Sequence, residues 1–287
     1  MEVTVMNLYR KTIEQIPNVR ITKEIPHFIY PGLEATGVAD HLFSTRFGGV
    51  STDHLGTMNL SYARGDKKEN VDENYRRIAS LLECELEDFV FSHQTHTTNV
   101  RVVTEDDKGK GIVYPLDYQD VDGLVTNVPG IVLSTFYADC VPLFFIDPVE
   151  KVIGLSHSGW RGTVGRMGEK TIQCMKENFS CNPQNIKAAI GPSICQSCYE
   201  VSEDVADAFK KEFQGHEAEI LIAKGQGKYL LDLWKANEIV LLEAGILPEN
   251  LEITNVCTCC NSEALFSHRA SNGKRGNLAA FLKLKKS

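Results

Sequence analysis

Residues 123–162 read GLVTNVPGIVLSTFYADCVPLFFIDPVEKVIGLSHSGWRG, and this stretch decides the fold. Apolar runs at 123–127, 131–138, 141–147 and 152–157 are separated only by short turn-forming breaks. They are nearly continuous rather than alternating, which marks strands covered on both faces. A helix over 163–178 follows at once, with Val164, Met167, Thr171 and Met175 as its apolar stripe.

The pattern extends in both directions. Upstream, 25–33 and 41–47 read as short strands, and Phe47-Gly48-Gly49-Val50-Ser51 as a turn. Val71, Tyr75, Ile78 and Leu82 mark a helix over 68–84, and strands at 89–91 and 100–103 flank SHQTHTTN. Downstream come a strand at 187–190, helices at 203–213 and 233–244, and strands in 251–256, 264–268 and 278–284. Asp232 is the expected N-cap of the last helix and Gly245 its C-cap. No Pro/Ser-rich linker and no internal repeat interrupts the chain, so residues 1–287 are expected to form one αβ domain.

Composition narrows the function classes. Hydrophobic residues at 43% and charged residues at 24% are ordinary for a globular protein. A net charge of −8 would repel phosphate backbones and anionic lipid, which argues against nucleic-acid or membrane-surface partners. The segment MEVTVMNLYRKTIEQ carries no signal-peptide core, and no run approaches the roughly 18 apolar residues of a membrane span, so a cytoplasmic address is expected. Nine cysteines, an odd set without an export signal, read as reduced thiols or metal ligands rather than a disulfide framework. The loop EDDKGKG at 105–111 lacks the spacing of a phosphate-binding P-loop.

Chemistry concentrates between Phe91 and Gly162, where His93, His96, Cys140 and His157 fall at strand ends or in turns. A thiolate with two imidazoles suits zinc, and three protein ligands leave a fourth position for water or substrate. The spacing matches no compact zinc finger, and buried Cys or hydrogen-bonded His without metal are the competing explanation. A second group, Cys195 and Cys198 with Cys257, Cys259 and Cys260, has the composition of a closed structural zinc site, but its Cys-x-x-Cys and Cys-x-Cys-Cys spacing is irregular, and buried free thiols are the alternative. Arg161 stands where a strand gives way to a helix. Either it binds an anion with the helix N–H groups, together with Arg46, or it pairs with a carboxylate such as Asp139. If the backbone is extended, Asp139 points away from Cys140 and is no obvious fourth ligand.

Several motifs occur in order: TRFGGVS at 45–51, MNLS at 58–61, HQTH at 93–96, DGLVT at 122–126, ADC at 138–140, HSGWRG at 157–162, IGPSICQSCYEV at 190–201 and FSHRASNGKRG at 266–276. Together they resemble the laccase-domain or YfiH-like family over nearly the whole chain, a family once called polyphenol oxidases and now regarded as purine nucleoside phosphorylases. The resemblance implies an α/β/β/α sandwich with mixed sheets, a single-domain α+β (α/β) architecture. It implies His96, Cys140 and His157 as both metal ligands and catalytic residues, and assigns no site to the second cysteine group. Thr97 and Ser158 depart from the Gly and Ala common at those family positions, changes expected to alter packing more than chemistry. His93 carries no family role and reads as a supporting or surface histidine.

The activity so implied is phosphorolysis of adenosine, inosine, guanosine and S-methyl-5'-thioadenosine, with purine nucleosides and inorganic phosphate as partners, alongside deamination of adenosine to inosine. Deamination also wants a carboxylate for proton transfer, for which Glu200 and Asp139 are candidates. Three other readings compete. Copper polyphenol oxidation fits a His2Cys donor set, and copper outcompetes zinc in vitro, but the chain has no His-x-His pair to build a copper cluster. A cysteine hydrolase would use Cys140 as nucleophile with His96 or His157 as base. A metal-storage domain would turn over nothing. Oligomeric state, a homodimer included, stays open.

Overall fold

The structure is a computed structural model describing residues 18–286. The segment 1–15 read for export signals lies outside the described residues. Two six-stranded mixed sheets dominate. The first runs β1 (Asn18–Thr22), β2 (Ile25–Ile29), β3 (Ala39–Ser44), β15 (Leu278–Leu284), β7 (Val132–Tyr137), β4 (Phe89–Phe91). The second runs β14 (Leu251–Ile253), β10 (Lys187–Ile190), β8 (Val141–Asp147), β9 (Val152–Ser158), β6 (Gly123–Thr126), β5 (Val100–Val102). A small third sheet, β11 (Glu200–Ser202), β13 (Lys228–Leu231) and β12 (Leu221–Gly225), was not foreseen, because its outer strand is exposed and lacks an apolar face.

The continuous apolar runs have a direct cause in β8. Leu143 and Phe145 join the core beneath the helices, while Phe144 and Ile146 join the core between the two large sheets. Phe28, Phe43, Leu133, Ala280 and Leu282 meet them from the first sheet. Each fully buried Phe or Leu contributes about 1.5–3 kcal/mol, so both faces of the strand are committed. Outside the first sheet, α2 (Lys68–Leu82) packs Val71, Tyr75 and Ile78 onto Phe89, Phe91 and Phe281. Outside the second, α4 (Met167–Phe179) and α7 (Leu233–Glu243) pack Ile172, Met175 and Leu241 onto Val125, Leu143 and Phe145. The layers are helix, sheet, sheet, helix, the expected α/β/β/α sandwich.

Some boundaries differ from expectation. The helix expected over 163–178 is two helices, α3 (Trp160–Val164) and α4, broken where Arg166 takes a left-handed φ of +60°. Arg166 is held there by Glu169, Glu212 and Glu243. The stretch 264–268 is not a strand. Leu265 and Phe266 are buried, but Ala264 N and Leu265 N bond the Asn261 carbonyl in a turn, and Ser267 caps α8 (His268–Ser271). Burial without a sheet partner produced the misleading apolar run. Asp232 does cap α7, accepting from Lys235 N at 3.0 Å. Gly245, with φ of +99°, sits one position beyond the C-cap Ala244. Short helices α1 (Pro31–Glu34) and α6 (Glu217–Ile220), and α5 (Glu203–Glu212) beside the third sheet, complete the fold. Among the described residues no helix is long and apolar enough to cross a membrane.

Candidate metal centre

His157 is the next-to-last residue of β9, paired in register with Pro142 of β8. Cys140 stands just before β8, in the tight connection from β7, so antiparallel pairing brings the two together. His96 comes from the loop between β4 and β5, with φ of +67°. One ligand atom from each of His96, Cys140 and His157 lies within 4.8 Å of the others. The two imidazoles stand edge to face with centroids 5.0 Å apart, and His96 Nε2 is 4.0 Å from Cys140 Sγ. Burial is graded: His157 is buried, Cys140 half-buried and His96 exposed, so the cluster opens to solvent on the His96 side.

Asp122 organises this cluster, and sequence reasoning gave it no role. Its carboxylate is fully buried. Oδ1 accepts from His157 Nδ1 at 2.7 Å and from His96 N at 3.1 Å. Oδ2 accepts from Thr95 N, Thr97 N and the Thr97 hydroxyl at 3.0–3.1 Å. Burial alone would raise its pKa, but His157 and the backbone donors hold it below the usual carboxylate value. With Nδ1 engaged, His157 turns Nε2 toward the cluster, the carboxylate–histidine arrangement common behind metal-ligating imidazoles. Thr97, expected to affect packing, thus adds a hydrogen bond to the same carboxylate. Ser158 likewise bonds Asn237 of α7 at 2.9 Å.

Electrostatics couple the thiol and imidazole. Burial opposes ionisation of Cys140, yet His157 and His96 bring its pKa down to about 6. Burial likewise opposes protonation of His157, while Cys140 and Asp122 raise it to about 9. A sulfur so easily ionised is a ready metal ligand. Gly159 is required by space: a Cβ there would lie 2.9 Å from His96 Cδ2 and 3.1 Å from Cys140 Sγ.

The neighbouring candidates separate. Arg161 is exposed, stacks on Trp160 at 4.2 Å and has no carboxylate partner among the described residues. Asp139, its suggested partner, instead accepts from Thr258 Oγ1 at 2.6 Å and Arg269 N at 2.9 Å. The helix at Arg161 is the five-residue α3, too short to supply the macrodipole expected of a long helix. Arg46 donates to the Gly56 and Ser262 carbonyls and lies over Phe266, in a cleft it lines with His54, Lys274 and Arg275. Arg275 is buried, its Nε lacks a hydrogen-bond partner, and burial lowers its pKa to about 10 against the supporting charges of Asp139 and Cys140. FSHRASNGKRG carried this signal in sequence, a pair of adjacent cations, but nothing there revealed burial.

His93 stays apart from the cluster. Its Nδ1 accepts from Asp120 N at 3.2 Å, a supporting contact. Glu200 is engaged by Lys224 at 2.6 Å. In the loop 105–111, Asp107 pairs with Arg101 and Lys110, which leaves no phosphate cradle there.

Comparisons with known proteins agree with this architecture. The chain is 36% identical over 245 residues to purine nucleoside phosphorylase YlmD of Bacillus subtilis (strain 168), covering 85% of this chain and 87% of that protein. It is 35% identical over 229 residues to adenosine deaminase RL5 of an unknown prokaryotic organism, covering 79% and 87%. The crystal structure of hypothetical protein YfiH of Bacillus licheniformis superposes with a TM-score of 0.87 at 30% identity, covering 93% of this chain and 99% of that one. The family model described as multi-copper polyphenol oxidoreductase laccase matches residues 40–285. That match takes in every strand of the sandwich except β1 and β2, and the chain belongs to this laccase-like family.

Proposed function

We propose that the chain is a zinc-dependent purine nucleoside phosphorylase, cleaving adenosine, inosine, guanosine and S-methyl-5'-thioadenosine to the free base and the pentose 1-phosphate. The observation that carries this reading is the convergence of His96, Cys140 and His157; a separate cleft lined by Arg46, Lys274 and Arg275 supplies cations. The YlmD name supports the same activity. Two imidazoles and a thiolate suit zinc, and three ligands leave one position open. The ion would supply Lewis-acid polarisation at that position.

The chain's own residues would do the rest. Asp122 holds His157 in one tautomer and fixes its ring, which keeps the ligand set preorganised. Arg46, Lys274 and Arg275 would bind inorganic phosphate, because Arg275 is buried with an unpartnered Nε and none of the three has a carboxylate ion-pair partner among the described residues. Arg161, exposed and without a carboxylate partner among the described residues, would add a fourth cation. Phosphate so held would meet the anomeric carbon as the base departs and positive charge develops on the sugar.

Deamination of adenosine belongs to the proposal through the RL5 name. Its proton transfer would fall to Asp139, which adjoins Cys140 in the chain, although its carboxylate also accepts from Thr258 and Arg269, as Glu200 does from Lys224 and Asp122 from His157. The proposal takes residues 1–287 as one catalytic unit, and the net charge of −8 argues against nucleic-acid or membrane-surface partners.

A cysteine hydrolase is the second reading, because Cys140, His157 and Asp122 stand in a row as nucleophile, base and orienting acid would. The second imidazole on the same sulfur favours a metal. Iodoacetamide should label Cys140 only after chelation; labelling of the metal-replete enzyme with loss of turnover would favour the hydrolase. The copper reading gains nothing from the geometry, since eight histidines without a His-x-His pair leave one mononuclear His2Cys cluster. The deciding assay incubates zinc-replete protein with adenosine, with and without phosphate. Phosphate-dependent release of adenine supports phosphorolysis. Inosine alone, independent of phosphate, would assign the site to deamination.

A further inference from the structure

A second group of side chains lies outside the catalytic proposal. Cys195, Cys198, Cys257 and Cys260 bring all four Sγ atoms within 4.8 Å of one another. Four thiolates around zinc, with Zn–S near 2.3 Å, stand about 3.8 Å apart, so the group is already close to the size of a tetrahedral site. The structure also resolves the irregular spacing seen in the sequence. Cys259 falls outside the group, and the remaining four form two Cys-x-x-Cys arms, 195–198 and 257–260. Paired arms of this spacing are the framework of closed structural zinc sites.

Backbone geometry supports ligation rather than chance proximity. Each arm is a tight turn: Cys198 N bonds the Cys195 carbonyl, and Asn261 N the Cys257 carbonyl. The arms lie side by side through a parallel bridge between Ser193 and Cys257. Cys257 Sγ accepts from two backbone donors, Cys195 N at 3.3 Å and Cys260 N at 3.4 Å. Two N–H groups aimed at one sulfur are contacts that a metal-bound thiolate accepts, while the neighbouring Cys195 thiol and burial hold the Cys257 thiol protonated without a metal.

We propose that Cys195, Cys198, Cys257 and Cys260 bind a structural zinc ion, distinct from the histidine–cysteine cluster. The site clamps two loops that both grip the residue next to Cys140. Ile194 N bonds the Asp139 carbonyl at 3.1 Å, and Thr258 Oγ1 bonds the Asp139 carboxylate at 2.6 Å. Zinc here would therefore fix the connection that carries Cys140. All four ligand positions are filled by sulfur, which leaves none open for substrate.

The test is metal stoichiometry of the full chain, purified under reductant, supplied with zinc and then freed of loosely bound metal. Two zinc ions per chain are expected, and one should remain in His96→Ala/His157→Ala. Cys198→Ser/Cys260→Ser should also retain one and melt several degrees lower. Cobalt substitution of the His96→Ala/His157→Ala protein should give thiolate-to-cobalt charge transfer, a readout that does not depend on the serine variant folding. One zinc per wild-type chain would overturn the proposal. So would a Cys198–Cys260 disulfide in the zinc-supplied protein, which their 3.5 Å sulfur separation makes the competing outcome.

Discussion

Asp122 shows how one side chain can set the chemistry of three others. It touches His157 directly, and through backbone N–H groups it shapes the loop that delivers His96. Asp122→Asn should therefore weaken metal binding about 10- to 100-fold, measured by competition with a chromophoric chelator. Unchanged affinity would remove Asp122 from the site. At this scale the sequence was legible where a motif names a residue. His96, Cys140 and His157 were picked out by family motifs although their separations carry no metal-site signature. Asp122 lies in a quoted motif yet was missed, because its task is defined by contacts with residues 95–97 and 157. Arg275 was missed for a similar reason, since its burial and its unpartnered Nε are properties of the folded cleft. Arg161 was offered either as an anion binder or as the partner of Asp139, and the structure separates that pair.

Elements were legible where a periodic stripe and a cap coincide. The helix α7 met both conditions, and Asp232→Ala should cost about 1 kcal/mol, read from the shift in the urea midpoint at constant slope. A shift indistinguishable from zero would mean the Asp232 bond contributes nothing net. Periodicity failed across Gly165 and Arg166, because the apolar stripe continues through a break imposed by tertiary contacts. Arg166 meets carboxylates on α4, α5 and α7, and none of these is visible in a local window. The stretch 264–268 failed in the opposite sense, since an apolar run signals burial whether or not a neighbouring strand pairs with it. The two arms of the four-cysteine cluster were grouped by composition with an irregular spacing, and the exclusion of Cys259 became clear only once the fold set the arms together, with the Ser193–Cys257 bridge beside them.

For the whole molecule, the sandwich follows from strands buried on both faces, which the run at 123–157 made legible, whereas the layer order came from the family resemblance. Strand order was not, because β15 at the chain's end inserts between β3 and β7. The shared core makes acid stability a global property. His41 of β3 is buried and accepts from Tyr30 N at 2.7 Å. Burial pushes its pKa down to about 4, against the upward pull of Glu34 and Asp40. The unfolded chain takes up this proton first, near pH 6.5, so the contribution is complete above pH 6.5 and is lost as pH falls toward 4. The loss should reach about 3 kcal/mol. His41→Gln keeps an acceptor but cannot be protonated, and its stability should not carry this acid slope. Parallel pH profiles for the two proteins would contradict the assignment.

Under the proposed function, a metal ion held by His96, Cys140 and His157 would assist nucleoside cleavage. Lewis-acid assistance is worth several kcal/mol, which corresponds to at least about 100-fold in rate. The direct measurement is kcat/KM for adenosine phosphorolysis by Cys140→Ala beside the wild type, both zinc-supplied and matched in Tm. A loss on the order of 100-fold or more is predicted. A variant as active as the wild type would contradict the account.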